Sequence, residues 1–387
     1  MGVSLTRTIN YAHAAPSDLV EDFVIAQAPL PVRHLDFRNY AFKSRARHLG
    51  TDHTELRVTP AEAMEAITRL PALYDEPFSD SSQIPTFLIS QQARRYVTVA
   101  LSGDGGDELF GGYNRYAWVD RISRNTGWMP DGARRAAAKT IRHIAPSTWD
   151  RMFRVAAAAM PGRMRQRTPG DKMHKLASVI ASPDPGDMYL SLVSHWQEPA
   201  GLVMGAIEPA TLVTDRRGWP DLPTITHQMM YLDAVTYLPD DILAKVDRAS
   251  MGVGLEVRVP LLDHRVFEFA WSLPLGFKIT QGRSKVLLRK VAERYLPQRL
   301  IDRPKSGFGI PIGDWLRGPL REWADSLLDP DRLASEGYLD PDPIRKAWAG
   351  HLAGKGSQQY LIWDVLMLQA WLQQASTHDA APLAVSP

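Results

Sequence analysis

Hydrophobic and polar positions alternate over His53–Val58, and this period of two predicts a half-buried strand. The next four residues, Thr59–Glu62, read TPAE, which offers a threonine N-cap, a proline at the first helical position and a glutamate that completes a capping box. They predict a helix over Pro60–Leu70. A second helix is predicted over Thr86–Arg95, and the apolar run Tyr96–Leu101 predicts a strand buried on both faces. Together these elements have the order of a βαβ crossover.

Most of the chain after residue 115 has apolar residues at helical spacing, as in Val286–Tyr295. No further strand is predicted there. We therefore divide the chain into an α/β part over residues 46–115 and a mainly helical part over residues 116–375. Residues 376–387 are rich in alanine, proline and serine and are expected to fray. The expected fold class is α/β, with a partial doubly wound parallel sheet followed by a mainly helical region.

The composition limits the class of protein. With 387 residues, 44% hydrophobic and 23% charged, the chain is long enough for roughly two or three globular domains and is unlike a disordered protein. Its 45 Lys and Arg nearly balance its 43 Asp and Glu, so net charge favours neither nucleic acid nor a membrane as a partner. The absence of cysteine excludes thiolate nucleophiles and cysteine-bound metals. Because no apolar run could span a membrane and Met1–Ala15 lacks a signal-peptide core, we expect a cytoplasmic protein.

The residues best suited to chemistry directly follow the predicted strand Tyr96–Leu101, in the segment SGDGGDELFGGY over Ser102–Tyr113. Ligands of open α/β sheets bind beyond the carboxyl ends of the strands, and glycines there let backbone N–H groups approach a ligand closely. Asp104, Asp107 and Glu108 would repel a phosphate group unless a cation such as Mg²⁺ lay between them. A solvated turn has a similar composition, and the spacing matches neither a calcium loop nor a P-loop.

A second informative segment is YLPDDILAKVDRASM over Tyr237–Met251, followed by LEVRVPLLD over Leu255–Asp263. Its charged residues alternate with apolar ones, which is typical of a helix with one solvated face. From this pattern alone, a solvated helix and part of a functional site both remain open. Glu256 and Arg258 are expected to form a buried ion pair that stabilises the domain.

These segments resemble, in residue type and relative placement, the synthetase domain of the glutamine-hydrolysing asparagine synthetases. The resemblance rests on LSGDGGDELFGGY, on DEPFSDSSQIP over Asp75–Pro85, and on the two segments that begin at Tyr237 and Leu255. It extends from near Ala46 to about Leu372. β-Lactam synthetases and lasso-peptide cyclases share this domain. The resemblance implies a sheet of the ATP-pyrophosphatase type, which is adenine nucleotide alpha hydrolase-like.

The resemblance also implies a reaction. In the family, the side-chain carboxylate of aspartate attacks the α-phosphorus of MgATP, which gives aspartyl-adenylate and pyrophosphate, and ammonia then displaces AMP. ATP and Mg²⁺ are therefore the expected cofactors, and ATP, aspartate and ammonia are the expected small-molecule partners. Such a transfer needs stabilisation of developing charge more than covalent help from the protein.

The resemblance carries roles over to individual residues of this sequence. The residues expected to bind ATP or the adenylate are Ser102, Gly103, Asp104, Gly105 and Gly106. The expected catalytic residues are Lys285, which would stabilise phosphoryl charge, Asp104, and a loop carboxylate near the acyl centre that is either Asp240 or Asp241. The expected metal ligands are Asp107 and Glu108, and the residues expected to line the substrate crevice are Asp75 and Glu76. By its pattern alone, Lys285 would be a surface lysine of an amphipathic helix.

Two departures from the family bear on activity. Complete members begin with the cysteine of an amidotransferase domain, whereas this sequence has no cysteine and is not expected to hydrolyse glutamine by that route. The family's pyrophosphate loop SGGxDSS is also absent, including from residues 1–45, which stay unassigned. Because the resemblance begins abruptly near Arg45, we expect a truncated, frame-shifted or replaced start. This leaves room for a partner that supplies a glutaminase or an N-terminal segment.

Three functions remain open at this point. The first is asparagine synthetase-type amide-bond formation, impaired by the missing loop. The second is a non-catalytic remnant or binding subunit that keeps the adenylate site without turnover. The third is a relative that adenylates another carboxylate, as β-lactam synthetases and lasso-peptide cyclases do.

Overall fold

The computed structural model describes residues 23–25, 33–36, 41–55, 58–144, 148–149, 151–153, 169–182, 184–302, 310–354 and 358–379. Most of the unassigned start and residues 380–387 of the predicted tail lie outside the described residues. Residues 376–379 belong to the last helix, Gln359–Asp379. Along the described residues, no helix is both long and apolar enough to cross a lipid bilayer.

Five short strands form one sheet in the described part of the chain. They are β1 (Phe23–Ile25), β2 (Arg33–Asp36), β3 (Asp52–Glu55), β4 (Val99–Leu101) and β5 (Glu256–Arg258). Their order across the sheet is β3-β2-β1-β4-β5. The pairs β2–β3 and β4–β5 are parallel, whereas β1 is antiparallel to both β2 and β4. The parallel sheet expected from the sequence is therefore present at both edges, with one reversed strand at its centre.

Strand β5 lies in the part of the chain where the sequence pattern predicts no strand. Its central residue, Val257, pairs with Ala100 of β4 at the edge of the sheet. Glu256 and Arg258 form an ion pair of 2.7 Å, but their side chains are 53% and 65% exposed, so the prediction of a buried pair is wrong. A three-residue edge strand has only one partner strand and no apolar run, and period-two patterning therefore misses it. Through β5, the sheet includes residues from the part predicted to be mainly helical.

Local signals predicted the first helices closely. Helix α2 covers Pro60–Arg69, and its capping box is confirmed. The Thr59 hydroxyl accepts the N–H of Glu62 at 3.2 Å, while the Glu62 carboxylate accepts the N–H of Thr59 at 2.7 Å. These two hydrogen bonds satisfy the backbone N–H groups of Thr59 and Glu62 at the start of the helix, without contacts from elsewhere in the chain. Helix α3 covers Gln83–Arg94 and begins three residues earlier than expected.

The remaining elements confirm a helix-rich chain. The other α-helices are α1 (Ala41–Leu49), α4 (Gly106–Phe110), α5 (Asn114–Thr126), α6 (Asp131–His143), α7 (Pro169–Ala181), α8 (Pro185–Val193), α9 (Ile225–Leu232), α10 (Ala244–Met251), α11 (His264–Ser272), α12 (Val286–Ala292), α13 (Gln298–Ile301), α14 (Ile312–Arg317), α15 (Arg321–Leu327), α16 (Pro330–Glu336), α17 (Pro341–Leu352) and α18 (Gln359–Asp379). A π-helix over Asp233–Leu243 joins α9 to α10. Short 3₁₀ turns lie at Leu70–Ala72, Pro199–Gly201, Arg216–Gly218, Pro260–Leu262 and Leu275–Phe277.

Apolar packing fixes the sheet against the helices that carry the site. Ile89 of α3, Ala100 of β4 and Val246 of α10 belong to one buried cluster with Leu255, which directly precedes β5. Burial of these side chains removes apolar surface from water and holds α10 beside the strand. A larger cluster joins α2 and α3 to the C-terminal helices, whose buried tryptophans are Trp315, Trp348 and Trp363.

Candidate active site

The glycine-rich turn lies at the edge of the sheet where β4 and β5 both end. The N–H of Ser102 donates to the carbonyl of Arg258 at 2.8 Å, which extends the pairing of these strands by one residue. Gly105 has a φ of +80°, and a Cβ there would lie 2.4 Å from Cδ2 of Leu262. The left-handed backbone conformation therefore favours glycine before α4 begins, and a side chain there would also displace Leu262. The prediction that this turn follows a sheet strand at its carboxyl end is confirmed.

Lys285 comes to this turn from the helical part of the chain. Its Nζ lies 3.1 Å from Oδ1 of Asp107, and both side chains are almost fully buried. Lys285 has a φ of +55° directly before α12, and its N–H donates to the carbonyl of Phe110 at 3.3 Å. Left-handed backbone is unusual for a lysine and costs conformational energy. In the folded protein, this conformation brings the ammonium group of Lys285 to the turn.

A glycine allows the lysine and the carboxylate to meet. A Cβ at Gly112 would lie 1.6 Å from Oδ1 of Asp107 and 2.3 Å from Cε of Lys285, far inside contact distance. Although Oδ1 of Asp107 and Nζ of Lys285 are buried, neither makes a hydrogen bond within the described part of the chain. Buried polar groups are normally hydrogen-bonded, so these two atoms keep capacity for a ligand.

Asp104 is within electrostatic range of two buried lysines. Its carboxylate accepts a hydrogen bond from the Ser102 hydroxyl. Burial raises the pKa of Asp104, and this effect outweighs the Ser102 hydrogen bond and the positive charges of Lys245 and Lys285, which act in the opposite direction. The turn therefore presents a carboxyl group of raised pKa beside two ammonium groups.

Glu108 has a different environment from Asp107. It is buried, and the Tyr113 hydroxyl donates to its Oε1 at 2.5 Å. Burial, followed by the negative charge of Asp107, raises the pKa of Glu108 to about 8. A carboxyl group that holds a proton at neutral pH is a poorer cation ligand than an ionised one.

The carboxylate oxygens available at the turn determine how a magnesium ion could be held. The parts of the chain that the structure describes contain no group of three or more His, Cys, Asp or Glu side chains arranged for a metal. Magnesium commonly takes one or two carboxylates and completes its shell with phosphate oxygens and water. Oδ1 of Asp107 is the oxygen best suited to bind the ion, because Oε1 of Glu108 already accepts a hydrogen bond from the Tyr113 hydroxyl. The residues thus fit Mg²⁺ together with a phosphate-bearing ligand.

Asp80, Lys245 and Asp241 form a second charged cluster, here called the acyl-side cluster. Nζ of Lys245 lies 2.7 Å from Oδ2 of Asp80 and 3.8 Å from Oδ1 of Asp241. Lys245 is buried, and its charge acts on Asp104 at the turn. Of the two carboxylates that the sequence left open, Asp241 belongs to this cluster and Asp240 is exposed.

Asp241 lies in a helix and not in the loop that the resemblance implied. The π-helix over Asp233–Leu243 contains Pro239, which has no N–H to donate to the helix. Removal of that donor favours wider helical turns, and such π segments are frequent at functional sites. The expectation of a loop is therefore wrong, because the proline changes the hydrogen-bonding of the helix without ending it.

The two residues expected to line the crevice are exposed. The Asp75 side chain is 77% exposed and pairs with Arg248 of α10 at 2.6 Å, and Glu76 is also exposed. Asp80, five residues after Asp75, is the acidic residue of this segment that joins a buried cluster. The roles expected for Asp75 and Glu76 stay predictions.

A buried network beneath the turn was not found from the sequence. Asp233 is fully buried and accepts hydrogen bonds from Tyr116 at 2.5 Å, Tyr189 at 2.6 Å and Arg115 at 3.1 Å. Arg115 also lies over the ring of Tyr113, 4.0 Å from its centroid. No local pattern joins these residues, which come from α5, α8 and the π-helix. The Asp241–Lys245 pair, by contrast, has the i,i+4 spacing of a helical ion pair and could have been predicted.

Comparison with known proteins agrees with the motifs at this site. The asparagine synthase family model matches residues 38–373. Glutamine-hydrolyzing asparagine synthetase 1 of Bacillus subtilis (strain 168) is 30% identical over 338 residues, which are 85% of this chain and 49% of that protein. Glutamine-hydrolyzing asparagine synthetase 3 of the same strain is 32% identical over 336 residues, 84% of this chain and 46% of that protein. The chain spans about half the length of these curated relatives.

Proposed function

The chain belongs to the asparagine synthase family, and on that premise we propose that it forms an amide bond in an ATP-dependent reaction through a carboxyl-adenylate, from aspartate to asparagine. The observation that carries the proposal is the buried ion pair of Lys285 and Asp107 at the end of β4. Both groups keep unused hydrogen-bonding capacity, and they lie where α/β sheets bind ligands.

In this proposal the turn holds the adenylate part of the ligand. Backbone N–H groups of the glycine-rich turn approach the α-phosphate, as those of backbone nests do. Lys285 donates to phosphoryl oxygens and stabilises their charge as the bond to the carboxylate forms, which a compact ammonium group does well. Asp107 would hold Mg²⁺, which would neutralise phosphate charge when bound.

ATP supplies a leaving group that a free carboxylate lacks. A carboxylate becomes an acylating agent once its oxygen is bonded to AMP, and the protein contributes position and charge to that step. Asp241 is favoured over Asp240 as the carboxylate near the acyl centre, because it lies in the acyl-side cluster with buried Lys245. Ammonia is the nitrogen nucleophile of the proposed reaction, and a glutaminase is the partner that would supply it.

A second candidate function is nucleotide or adenylate binding without turnover. The observation that favours it is the absence of SGGxDSS from the sequence, because that loop would cradle the β- and γ-phosphates. Ligand contacts made by the Ser102–Gly106 turn would survive its loss better than stabilisation of the transition state. Both candidates use the same adenylate site and differ only in rate.

The test measures binding and turnover on the same protein. Binding of a stable aspartyl-adenylate analogue, in which a sulfamate replaces the phosphate, is measured by calorimetry with wild type, Lys285→Ala and the control Lys290→Ala, an exposed lysine of α12. Aspartate-dependent exchange between ATP and pyrophosphate, and ammonia-dependent AMP release, are measured at saturating Mg²⁺.

We expect the wild type and Lys290→Ala to bind the analogue equally and Lys285→Ala to bind it about 10-fold or more weakly. Exchange is expected to be weak, because the pyrophosphate loop is missing. Robust exchange would favour turnover over the binding candidate. Absence of analogue binding by the wild type would overturn both candidates.

A further inference from the structure

The basic residues of the chain are concentrated in one segment. Residues 131–175 contain 11 Lys and Arg but only 3 Asp and no Glu, whereas the rest of the chain has 34 Lys and Arg against 40 Asp and Glu. The near balance of the whole chain therefore results from an excess of positive charge in this segment and of negative charge elsewhere. A partner that contacts this segment alone meets a positive surface.

Helix α6 carries part of this positive charge on one exposed face. Arg135, Lys139 and Arg142 follow one another at helical spacing, which places them on the same side of the helix, and all three are exposed. These three residues are here called the basic face. Asp131 is the one acidic residue of α6, and it pairs with the buried Arg134. The helix itself therefore does not neutralise its basic face.

Exposed apolar side chains lie near both ends of α6 in the sequence. Trp128, three residues before the helix, is 79% exposed, while Met152 and Phe153 beyond its end are 52% and 37% exposed. The rings of Phe153 and Trp149 are 6.3 Å apart. The Nε1–H of Trp149 donates to the carbonyl of Ile141 at 3.2 Å, which holds this aromatic pair beside the last turn of α6.

Positive charge next to exposed apolar side chains fits the surface of an anionic membrane. Basic side chains are attracted to anionic lipid headgroups, and apolar side chains gain by entering the boundary between the headgroups and the acyl chains. The phosphates of a nucleic acid would also attract the basic face. They offer no apolar surroundings for Met152, however, and the pairing of charge with apolar groups therefore favours the membrane.

We propose that the basic face of α6 and residues 151–153 form a peripheral docking surface for an anionic membrane. The basic side chains contact the headgroups, and Met152 and Phe153 enter the boundary with the acyl chains. Attachment of this kind is reversible and weakens as salt screens the charges. It is separate from the chemistry at the glycine-rich turn and does not depend on the proposed function.

The experiment measures how much protein sediments with lipid vesicles. One set of vesicles contains phosphatidylcholine alone, and the other contains an equal mixture of phosphatidylcholine and the anionic phosphatidylglycerol. The wild type is compared with the double variant Arg135→Glu/Lys139→Glu. The matched control is Lys290→Glu/Arg294→Glu, in which two exposed basic residues with the same spacing undergo the same change of charge. Circular dichroism checks that each variant is folded.

The wild type and the control are expected to bind anionic vesicles about 10-fold or more tightly than neutral ones, and this binding should weaken as salt is added. Arg135→Glu/Lys139→Glu should bind anionic vesicles about 20-fold or more weakly than the wild type does. Met152→Ser/Phe153→Ser keeps every charge, and it should bind them about 5-fold more weakly because its apolar contact with the acyl chains is lost.

Equal binding of the wild type to neutral and anionic vesicles, or binding to neither, would overturn the inference. Equal losses in the two glutamate variants would overturn the assignment to the basic face. Full retention of vesicle binding by Met152→Ser/Phe153→Ser would overturn the entry of these side chains into the lipid. Binding of a labelled single-stranded oligonucleotide in preference to anionic vesicles would assign the surface to nucleic acid instead. The comparison of the two kinds of vesicle uses the wild type alone, so the test stands even if a variant does not fold.

Discussion

Nζ of Lys285 lies 3.1 Å from Oδ1 of Asp107, although the two residues belong to parts of the chain that are far apart in sequence. Their approach depends on three features: the left-handed backbone of Lys285, the hydrogen bond from its N–H to Phe110, and the absence of a side chain at Gly112. The ion pair is therefore sensitive to small changes around it, and the first two predictions use that sensitivity.

Gly112→Ala should both destabilise the protein and abolish analogue binding. The new Cβ would lie 1.6 Å from Oδ1 of Asp107, so the turn or Lys285 must move. We expect the free energy of unfolding in urea to fall by about 3 kcal/mol. The control is Gly132→Ala in α6, where a Cβ meets nothing within 4 Å, and it should leave stability unchanged or slightly raised. Equal behaviour of the two variants would contradict the close contact.

The Lys285→Arg variant should show whether ligand binding requires only a positive charge at this position or also a side chain of the size of lysine. An arginine keeps the positive charge, but its planar guanidinium is larger than the buried space between Asp107 and Gly112. We expect affinity for the aspartyl-adenylate analogue to fall nearly as far as in Lys285→Ala, whereas Lys290→Arg should bind as the wild type does. Full retention of binding in Lys285→Arg would show that any cation suffices at this position.

Asp233→Asn should be strongly destabilising, because it removes the charge that faces Arg115 in the buried network. Loss of one partner of a buried ion pair leaves the other charge uncompensated and costs about 3–5 kcal/mol. Tyr189→Phe, which removes one hydrogen bond to Asp233, should cost only about 1 kcal/mol. Asp247→Asn serves as the exposed control and should change the free energy of unfolding by less than about 0.5 kcal/mol. Urea unfolding followed by circular dichroism measures all three.

Lys278 should make stability depend on pH. Its side chain is fully buried, its Nζ has no hydrogen bond or ion pair within the described residues, and the nearest compensation is the Trp271 ring at 5.0 Å. Burial lowers the pKa of Lys278 from 10.5 to about 8. Between these two values the unfolded chain binds the proton more tightly, so this lysine makes stability rise as pH rises from about 8 towards 10.5.

The Lys278→Met variant isolates that effect. We expect it to be more stable than the wild type at pH values below about 8, with a difference that shrinks as the pH rises towards 10. Urea unfolding at several pH values measures the difference, and Lys290→Met serves as the control. A difference that stays constant over this range would mean that Lys278 is not neutralised by its burial.

Binding of the aspartyl analogue should tighten with pH through the titration of Asp241. Asp241 is faced by Asp80 and Lys245 in its own cluster, and His195 and Tyr237 also act on it electrostatically. Because its pKa is raised to about 8, an arriving ammonium group must displace a proton at lower pH. Calorimetry should show affinity rising up to about pH 8 and then levelling, whereas an analogue with a succinyl group, which lacks the amine, should show no such rise. A flat profile for both would contradict proton displacement at Asp241.

The sequence by itself determined the features that depend on neighbouring residues. Thr59 and Glu62 form their capping box because the two groups lie within one helical turn, and this geometry follows from the backbone alone. The strand before Ser102 and the glycine-rich turn after it were likewise readable from an apolar run and from Gly105. The family was identified from the same local segments.

Only the tertiary structure decided which charged residues meet. In the sequence, nothing separated Asp80 from the other acidic residues of its segment, or Lys245 from the other charged residues of its helix, yet the two form an ion pair. Arg258 was expected to be buried, but it lies exposed at the edge of the sheet. The physical reason is that an ion pair such as Lys285–Asp107 depends on how β4, α4 and α12 pack, and packing buries some charges and exposes others of identical type. Local periodicity carries no information about contacts between residues so distant in the chain, so the sequence identified the turn and the structure identified its partners.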